Sequence, residues 1–213
     1  MSELRGLYVV TPDGIGDDGL LAATEQALGN GAALLQYRDK LSSPVRQAER
    51  ARALVALARR HGVPIIVNDD VQLASAVGAD GVHLGRDDDD PVAARQLLGA
   101  AAIVGVSCYD EWARAEWAQA AGASYIAFGA LFGSPTKPAA PVAPLDLLMR
   151  AKRRWPQLAL CGIGGITLAN APGAIAAGAD LVAVISDIYQ AAEIGPRAAA
   201  FRQLFVGVPH EQH

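Results

Sequence analysis

Short apolar runs alternate with longer alanine-rich stretches along the chain, and this alternation limits the possible folds more than any other feature. The runs occupy residues 6–10, 33–37, 64–67, 80–84, 102–107, 124–128, 159–162 and 180–185. Several are continuously apolar, the pattern of strands covered on both faces in a parallel sheet. Between them the spacing is helical at 20–28, 111–121 and 146–154, with further helices opening near Val71 and Pro91. Ser42-Ser43-Pro44 supplies a cap and a first-turn proline for the helix after the second strand, and Arg59, Arg60 and His61 suit its C-terminal end. Asp110 is expected to cap the helix over 111–121. The order is strand then helix, eight times over.

A fainter repeat decides between an open and a closed sheet. Gly31-Ala32, Gly78-Ala79-Asp80, Gly122-Ala123-Ser124 and Gly178-Ala179-Asp180 each end a helix and begin an even-numbered strand, at spacings of 47, 44 and 56 residues. Each spacing is about two βα units, which predicts an α/β chain folded as a single (β/α)8 TIM barrel over residues 1–213. Residues from about 206 onward read as a frayed tail. An open doubly wound sheet is the rival. Its dinucleotide fingerprint is missing, because Thr11-Pro12-Asp13-Gly14-Ile15-Gly16 follows the first strand in place of a glycine loop running directly into a helix.

Composition bounds the partners. With 52% apolar but only 6% aromatic residues, the interior must be filled by Ala, Val, Leu and Ile, which suits helices on parallel strands. Eighteen basic and 22 acidic residues give a net charge of -4, so no nucleic-acid or anionic-membrane surface is expected, and anion binding must be local. Only Cys108 and Cys161 occur, each inside or beside an apolar run, which argues for packing thiols and a reducing compartment. No signal segment or membrane-length apolar run is present, and a cytoplasmic protein is expected. Nothing in the sequence sets an oligomeric state.

Chemistry in a barrel of this kind collects at the C-terminal ends of the strands, and the unusual polar residues fall there. Gln36, Arg38 and Lys40 alternate at the end of the second strand and so share one face. Asn68 and Asp69 end the third strand, and Asp87 and Asp88 follow the fourth. Carboxylates on neighbouring strands, without thiolates or clustered histidines, suit a hard cation such as Mg²⁺. They equally suit helix caps before Val71 and Pro91, and spacing alone leaves both readings open. Ser107 ends the fifth strand, the loop with Ser134, Pro135, Thr136 and Lys137 follows the sixth, Gly162-Ile163-Gly164-Gly165 precedes a helix expected near Thr167, and Ile185-Ser186 ends the eighth. Glycines there let backbone N–H groups approach an anion. His83 lies within a buried strand and reads as a hydrogen-bonded structural residue.

Taken in order, LYVVT, QYRDK, IIVNDD, GADGVHLGRDD, GVSC, GxxFxSxTK and CGIGGI followed by AVIS resemble the thiamine-phosphate synthase family over nearly the whole chain. The resemblance implies a (β/α)8 barrel that joins a hydroxymethylpyrimidine diphosphate to a thiazole phosphate and releases diphosphate with Mg²⁺. It implies that the QYRDK segment, Gln36, Tyr37, Arg38, Asp39 and Lys40, together with Asn68, Ser107 and Lys137, binds the pyrimidine diphosphate. Asp69 and Asp88 would bind Mg²⁺, while Ser134, Pro135, Thr136, Gly165, Ile185 and Ser186 would hold the thiazole phosphate. Arg38, Lys137 and Ser107 would stabilise the leaving group, with no general base.

The chain departs from the family pattern at Pro12, at Arg86 and at Gly133-Ser134. Arg86 either pairs with Asp87 or assists the diphosphate. Two other functions remain as alternatives: a thiazole tautomerase of the same superfamily, and a non-catalytic barrel that binds a phosphate ligand.

Overall fold

The structure, a computed structural model, describes residues 4–133 and 142–206. Its strands are β1 (Gly6–Val10), β2 (Ala32–Tyr37), β3 (Ile65–Asn68), β4 (Gly81–Leu84), β5 (Ile103–Tyr109), β6 (Tyr125–Phe128), β7 (Ala159–Ile163) and β8 (Leu181–Val184). All pair in parallel in sequence order, and β8 returns to β1, so the sheet closes into an eight-stranded barrel. The helices are α1 (Asp17–Gly29), α2 (Pro44–His61), α3 (Val71–Val77), α4 (Pro91–Leu98), α5 (Trp112–Ala120), α6 (Asp146–Arg154), α7 (Ala171–Ala176), α8 (Ser186–Tyr189) and α9 (Ile194–Gln203). This is the predicted architecture, with one extra helix closing the ring beside α1.

Strand periodicity sorts side chains into two cores. Tyr8, Leu34, Ile66, Tyr125, Cys161 and Leu181 point inward and fill the barrel, whereas Leu7, Leu35, Val67, Ile126, Leu160 and Val182 point outward under the helices. The helices answer with small residues, such as Ala51 and Ala58 of α2, Ala115 and Ala118 of α5, and Ala171 and Ala174 of α7. Alanine there lets each helix lie close to the sheet.

The Gly-Ala repeat has a structural cause. Gly78 and Gly178 take left-handed φ values of 66° and 106° where α3 and α7 stop and the chain turns toward a strand. Two residues later, a side chain reaches back to the strand before: Asp80 Oδ2 accepts from Ile65 N at 2.8 Å, and Asp180 Oδ2 from Leu160 N at 2.9 Å. Ser124 Oγ accepts from Val104 N at 3.1 Å in the equivalent place. Each clasp satisfies a strand-start N–H that the ladder leaves over.

Helix boundaries bring two corrections. Asp110 does not cap α5: the chain turns through Tyr109, whose φ is 56°, so Glu111 occupies the cap position, and no side-chain cap bond forms there. No helix begins at Thr167 either. Thr167 and Asn170 close a turn, with Thr167 N donating to Asn170 Oδ1 at 2.8 Å, and α7 starts only at Ala171. Among the described residues no helix is long and apolar enough to cross a membrane. The expected tail from 207 onward lies outside the described residues.

Candidate active site at the C-terminal rim

β3 and β4 are adjacent, and the sequence that follows each separates its aspartates into two classes. Asp70 caps α3, accepting from Leu73 N at 2.7 Å, and Asp90 caps α4, accepting from Val92 N at 2.8 Å. Capping therefore accounts for Asp70 and Asp90, and leaves Asp69 and Asp88 for the mouth. Asp69 has a φ of 65°, a left-handed conformation that Asp tolerates better than most residues, and its N–H donates to His83 O at 2.8 Å. Asp88 folds back so that Oδ2 accepts from Gly85 N at 2.5 Å. A Cβ at Gly85 would lie 2.9 Å from that oxygen, so a larger residue there would push the Asp88 carboxylate aside.

The two carboxylates come within hydrogen-bonding reach of each other. Burial first, and then the adjacent Asp69, raise the Asp88 pKa above the ordinary carboxylate value, although the Gly85 N–H opposes this. Lys40 Nζ stands 3.2 Å from Asp69 Oδ2 and is more than half exposed. Among the described residues no three His, Cys, Asp or Glu side chains gather into a cage for a metal. A pair of carboxylates instead fits a cation that takes its remaining ligands from water or a substrate's oxygens, as Mg²⁺ does.

The end of β2 divides by parity. Gln36 points into the barrel, where its Nε2 donates to Tyr8 Oη. Arg38 follows the same parity and is held by Asp13, which also accepts from Lys40 N at 2.8 Å. Thr11 Oγ1 accepts from Arg38 N at 2.7 Å. The Thr11 and Asp13 of the first loop therefore orient the cationic end of β2. Tyr37 and Asp39 lie on the other face: Tyr37 is buried under the helices, and Asp39 accepts from Arg50 Nη1 at 2.7 Å and from Ser42 N at 3.0 Å. Those bonds hold Asp39 well below the usual carboxylate range despite its burial. The side chains of Tyr37 and Asp39 thus point away from the mouth that the resemblance assigned to them.

Asn68 continues the inward parity of Ile66 and pairs in register with His83. Ser107 Oγ stands 2.8 Å from His83 Nε2. Arg114, which sequence reasoning did not single out, ties this part of the rim together: its Nε donates to Ser107 O at 2.6 Å and its Nη2 to Gly85 O at 2.5 Å. Its place in the first turn of α5, the helix after β5, is the only signal that could have marked it. Arg86 pairs with Glu111 and lies 4.9 Å over the Tyr109 ring, while Asp87 acts on it only as a weaker through-space charge.

Across the mouth, Gly164 and Gly165 have φ values of 93° and 64°. A Cβ on Gly165 would meet Phe132 O and Gly133 O at 2.6 Å, and one on Gly164 would meet Ala130 Cβ at 2.5 Å. These glycines are thus required for packing against the loop after β6, whatever they bind. Ile185 and Ser186 lie beside them at the end of β8, where the four-residue α8 begins. Ser134, Pro135, Thr136 and Lys137 lie outside the described residues.

A family model for thiamine monophosphate synthase matches residues 7–188. The chain is 59% identical over 202 residues to a thiamine-phosphate synthase of Azoarcus sp., covering 95% of this chain and 98% of that one. It is 53% identical over 204 residues to a thiamine-phosphate synthase of Aromatoleum aromaticum, covering 96% and 98%. Among solved structures, a thiamine phosphate pyrophosphorylase from Pyrococcus furiosus superposes with a TM-score of 0.81 at 29% identity, covering 94% of this chain and 95% of that one. A 3-hexulose-6-phosphate synthase, at 22% identity and a TM-score of 0.70, shares the fold. With the family model spanning most of the barrel and relatives matching nearly end to end, the chain belongs to the thiamine monophosphate synthase family.

Proposed function

We propose that the chain joins 4-amino-2-methyl-5-(diphosphooxymethyl)pyrimidine to thiazole phosphate, forming thiamine phosphate and diphosphate. The observation that carries this reading is the Asp69 and Asp88 carboxylate pair, facing Lys40 at the mouth of a barrel that belongs to this family. A tautomerase or a simple phosphate binder has no need of that cation-ready pair, and the relatives are named as synthases.

The bond between the pyrimidine methylene carbon and the diphosphate oxygen breaks, and its electron pair leaves with the diphosphate. The thiazole nitrogen supplies its lone pair to the same carbon, so no proton need be removed in that step. Mg²⁺ held by Asp69 and Asp88 would neutralise part of the leaving charge. Arg38, oriented by Asp13, and Lys40 add fixed positive charge on the β2 side, and the Ser107 hydroxyl adds a donor from β5. The family resemblance adds Lys137 to this group and gives Ser134, Thr136, Gly165 and Ser186 to the thiazole phosphate. Much of the acceleration comes from holding both substrates in contact. Buried, unpaired Cys108 and Cys161 suit a reducing cytoplasm.

The experiment is to mix both substrates with the protein and Mg²⁺ and follow diphosphate release. Release that stops on chelation with EDTA and returns with Mg²⁺ is the expected result. Product formation unaffected by EDTA would remove the metal from the reading, and no release at all would remove the activity.

A further inference from the structure

A continuous line of hydrogen bonds crosses the barrel interior beneath the mouth. Gln36 Nε2 donates to Tyr8 Oη, Tyr8 Oη lies 2.8 Å from Tyr125 Oη, Tyr125 Oη lies 2.7 Å from His83 Nδ1, and His83 Nε2 lies 2.8 Å from Ser107 Oγ. Tyr8 and Tyr125 are 1% and 0% exposed, and Gln36 and His83 only 3% and 6%. The line joins two residues of the mouth, one on β2 and one on β5, through three buried residues. Space is made for it: a Cβ at Gly105 would lie 2.1 Å from Tyr125 Cζ, so only glycine lets that ring pass across β5 to reach His83. The Tyr125 and His83 rings stack at 5.6 Å between centroids, and the Tyr8 ring meets Tyr125 edge-on at 5.8 Å.

Each link in such a line contains one hydrogen, so fixing one end fixes the other. Carried along the line from the Gln36 amide, which donates, one hydrogen per link has Tyr8 donating to Tyr125 and Tyr125 to His83 Nδ1. His83 is then the Nε2–H tautomer and donates to Ser107 Oγ. The Ser107 hydrogen is then turned away from His83 and is available to a ligand in the mouth. The charges at the two ends favour this direction. Gln36 Oε1 belongs to the strand end that carries Arg38 and Lys40, while the hydrogen-rich end lies on the side of Asp88.

We propose that Tyr8, Tyr125 and His83 form a polarity relay that holds the Ser107 hydroxyl as a hydrogen-bond donor toward the substrate, with His83 a positioning residue that acts through Ser107. The acceptor is an oxygen or ring nitrogen of the pyrimidine diphosphate. This choice of acceptor rests on the proposed function, whereas the relay's direction does not.

The direction is read without substrate. Nitrogen-15 NMR of the whole protein, with the His83 signals among four histidines assigned by their loss in His83→Asn, should show a protonated Nε2 and an unprotonated Nδ1 at pH 7. The reverse tautomer means the line runs the other way and overturns the proposal, whether or not the protein releases diphosphate. The link to catalysis is read by a double-mutant cycle. Tyr125→Phe keeps the ring over Gly105 but cuts the line, and should lower kcat about tenfold with KM little changed. Ser107→Ala should lower kcat about a hundredfold, and adding Tyr125→Phe to it should cost nothing more. Losses that multiply to about a thousandfold would show that Tyr125 acts otherwise than through Ser107.

Discussion

The two ends of this barrel use aspartate in opposite ways. At the N-terminal ends of the strands, Asp180 accepts from Leu160 N and from Lys152 Nζ, each at 2.9 Å, and Asp80 clasps Ile65 N. Every such carboxylate is met by a donor. At the C-terminal ends, Asp69 and Asp88 face one another, and among the described residues an exposed lysine and a backbone N–H donate to their carboxylates. Asp69 sits in a left-handed backbone conformation, and Asp88 is raised by burial and by its neighbour. Satisfied carboxylates stabilise a fold, whereas crowded ones hold interaction free energy that a bound cation releases.

The strongest test of the difference is Asp88→Asn, which keeps an oxygen to accept from Gly85 N but removes the charge. Turnover is expected to fall by roughly a thousandfold, about 4 kcal/mol at the transition state. The melting temperature should hold or rise, because a like-charge contact is relieved. Titrating Mg²⁺ and diphosphate into the folded protein should raise the melting point of the wild type and not of the variant. Near-normal turnover would put Asp88 with the structural aspartates.

Asp180→Ala is the mirror experiment. It strands Lys152 and the Leu160 N–H at a buried site, and it is expected to cost about 3 kcal/mol of stability in urea unfolding. At temperatures where the variant is folded, kcat should stay within about twofold of the wild type. A large loss of kcat without loss of stability would contradict the division between the two ends.

Between the ends lies the buried polar line, and pH probes it. Burial depresses the His83 pKa from 6.5 to about 4, so the folded state resists protonation that the unfolded chain accepts. The associated stability is fully present above pH 6.5 and is lost as the pH falls toward 4, reaching roughly 2 kcal/mol by pH 5. Urea unfolding at pH 7 and pH 5 should show that drop in the wild type and a much smaller one in His83→Asn. Equal drops in both would assign the loss to other groups.

How much of this the sequence disclosed depended on whether the signal was local. The strands were legible because a strand buried on both faces is apolar throughout, and the Gly-Ala marks were legible because a helix end needs a left-handed residue in a fixed place. The convergence of Asp69 and Asp88 was legible once β3 and β4 were taken as neighbours. Strand parity puts Gln36, Arg38 and Lys40 on one face and Tyr37 and Asp39 on the other, a division that a contiguous motif such as QYRDK hides. Partnerships across the fold left no mark. Nothing near Arg86 in sequence announces Glu111, 25 residues on, and nothing near Tyr8 announces Tyr125, 117 residues on. His83 could be read as hydrogen-bonded, but not to what.

Arg86 gives the smallest expected effect and the finest test of where the mouth ends. It follows β4 directly and lies two residues before Asp88, so proximity in sequence argues for a role with the diphosphate. Its guanidinium instead pairs with Glu111 and covers the Tyr109 ring, and Glu111 is in turn held below its ordinary pKa by Arg86. Both partners are solvent-exposed, so the pair adds little to stability and fades with salt. Arg86→Ala is therefore expected to change kcat/KM for the pyrimidine diphosphate by less than about twofold, with a similarly small shift in melting temperature. A loss of tenfold or more, relieved by raising the diphosphate substrate, would mean that the guanidinium leaves Glu111 when ligand arrives. The cationic side of the mouth would then extend past β2, and the contrast between exposed pairs outside the rim and crowded carboxylates within it would have to be redrawn around the ligand.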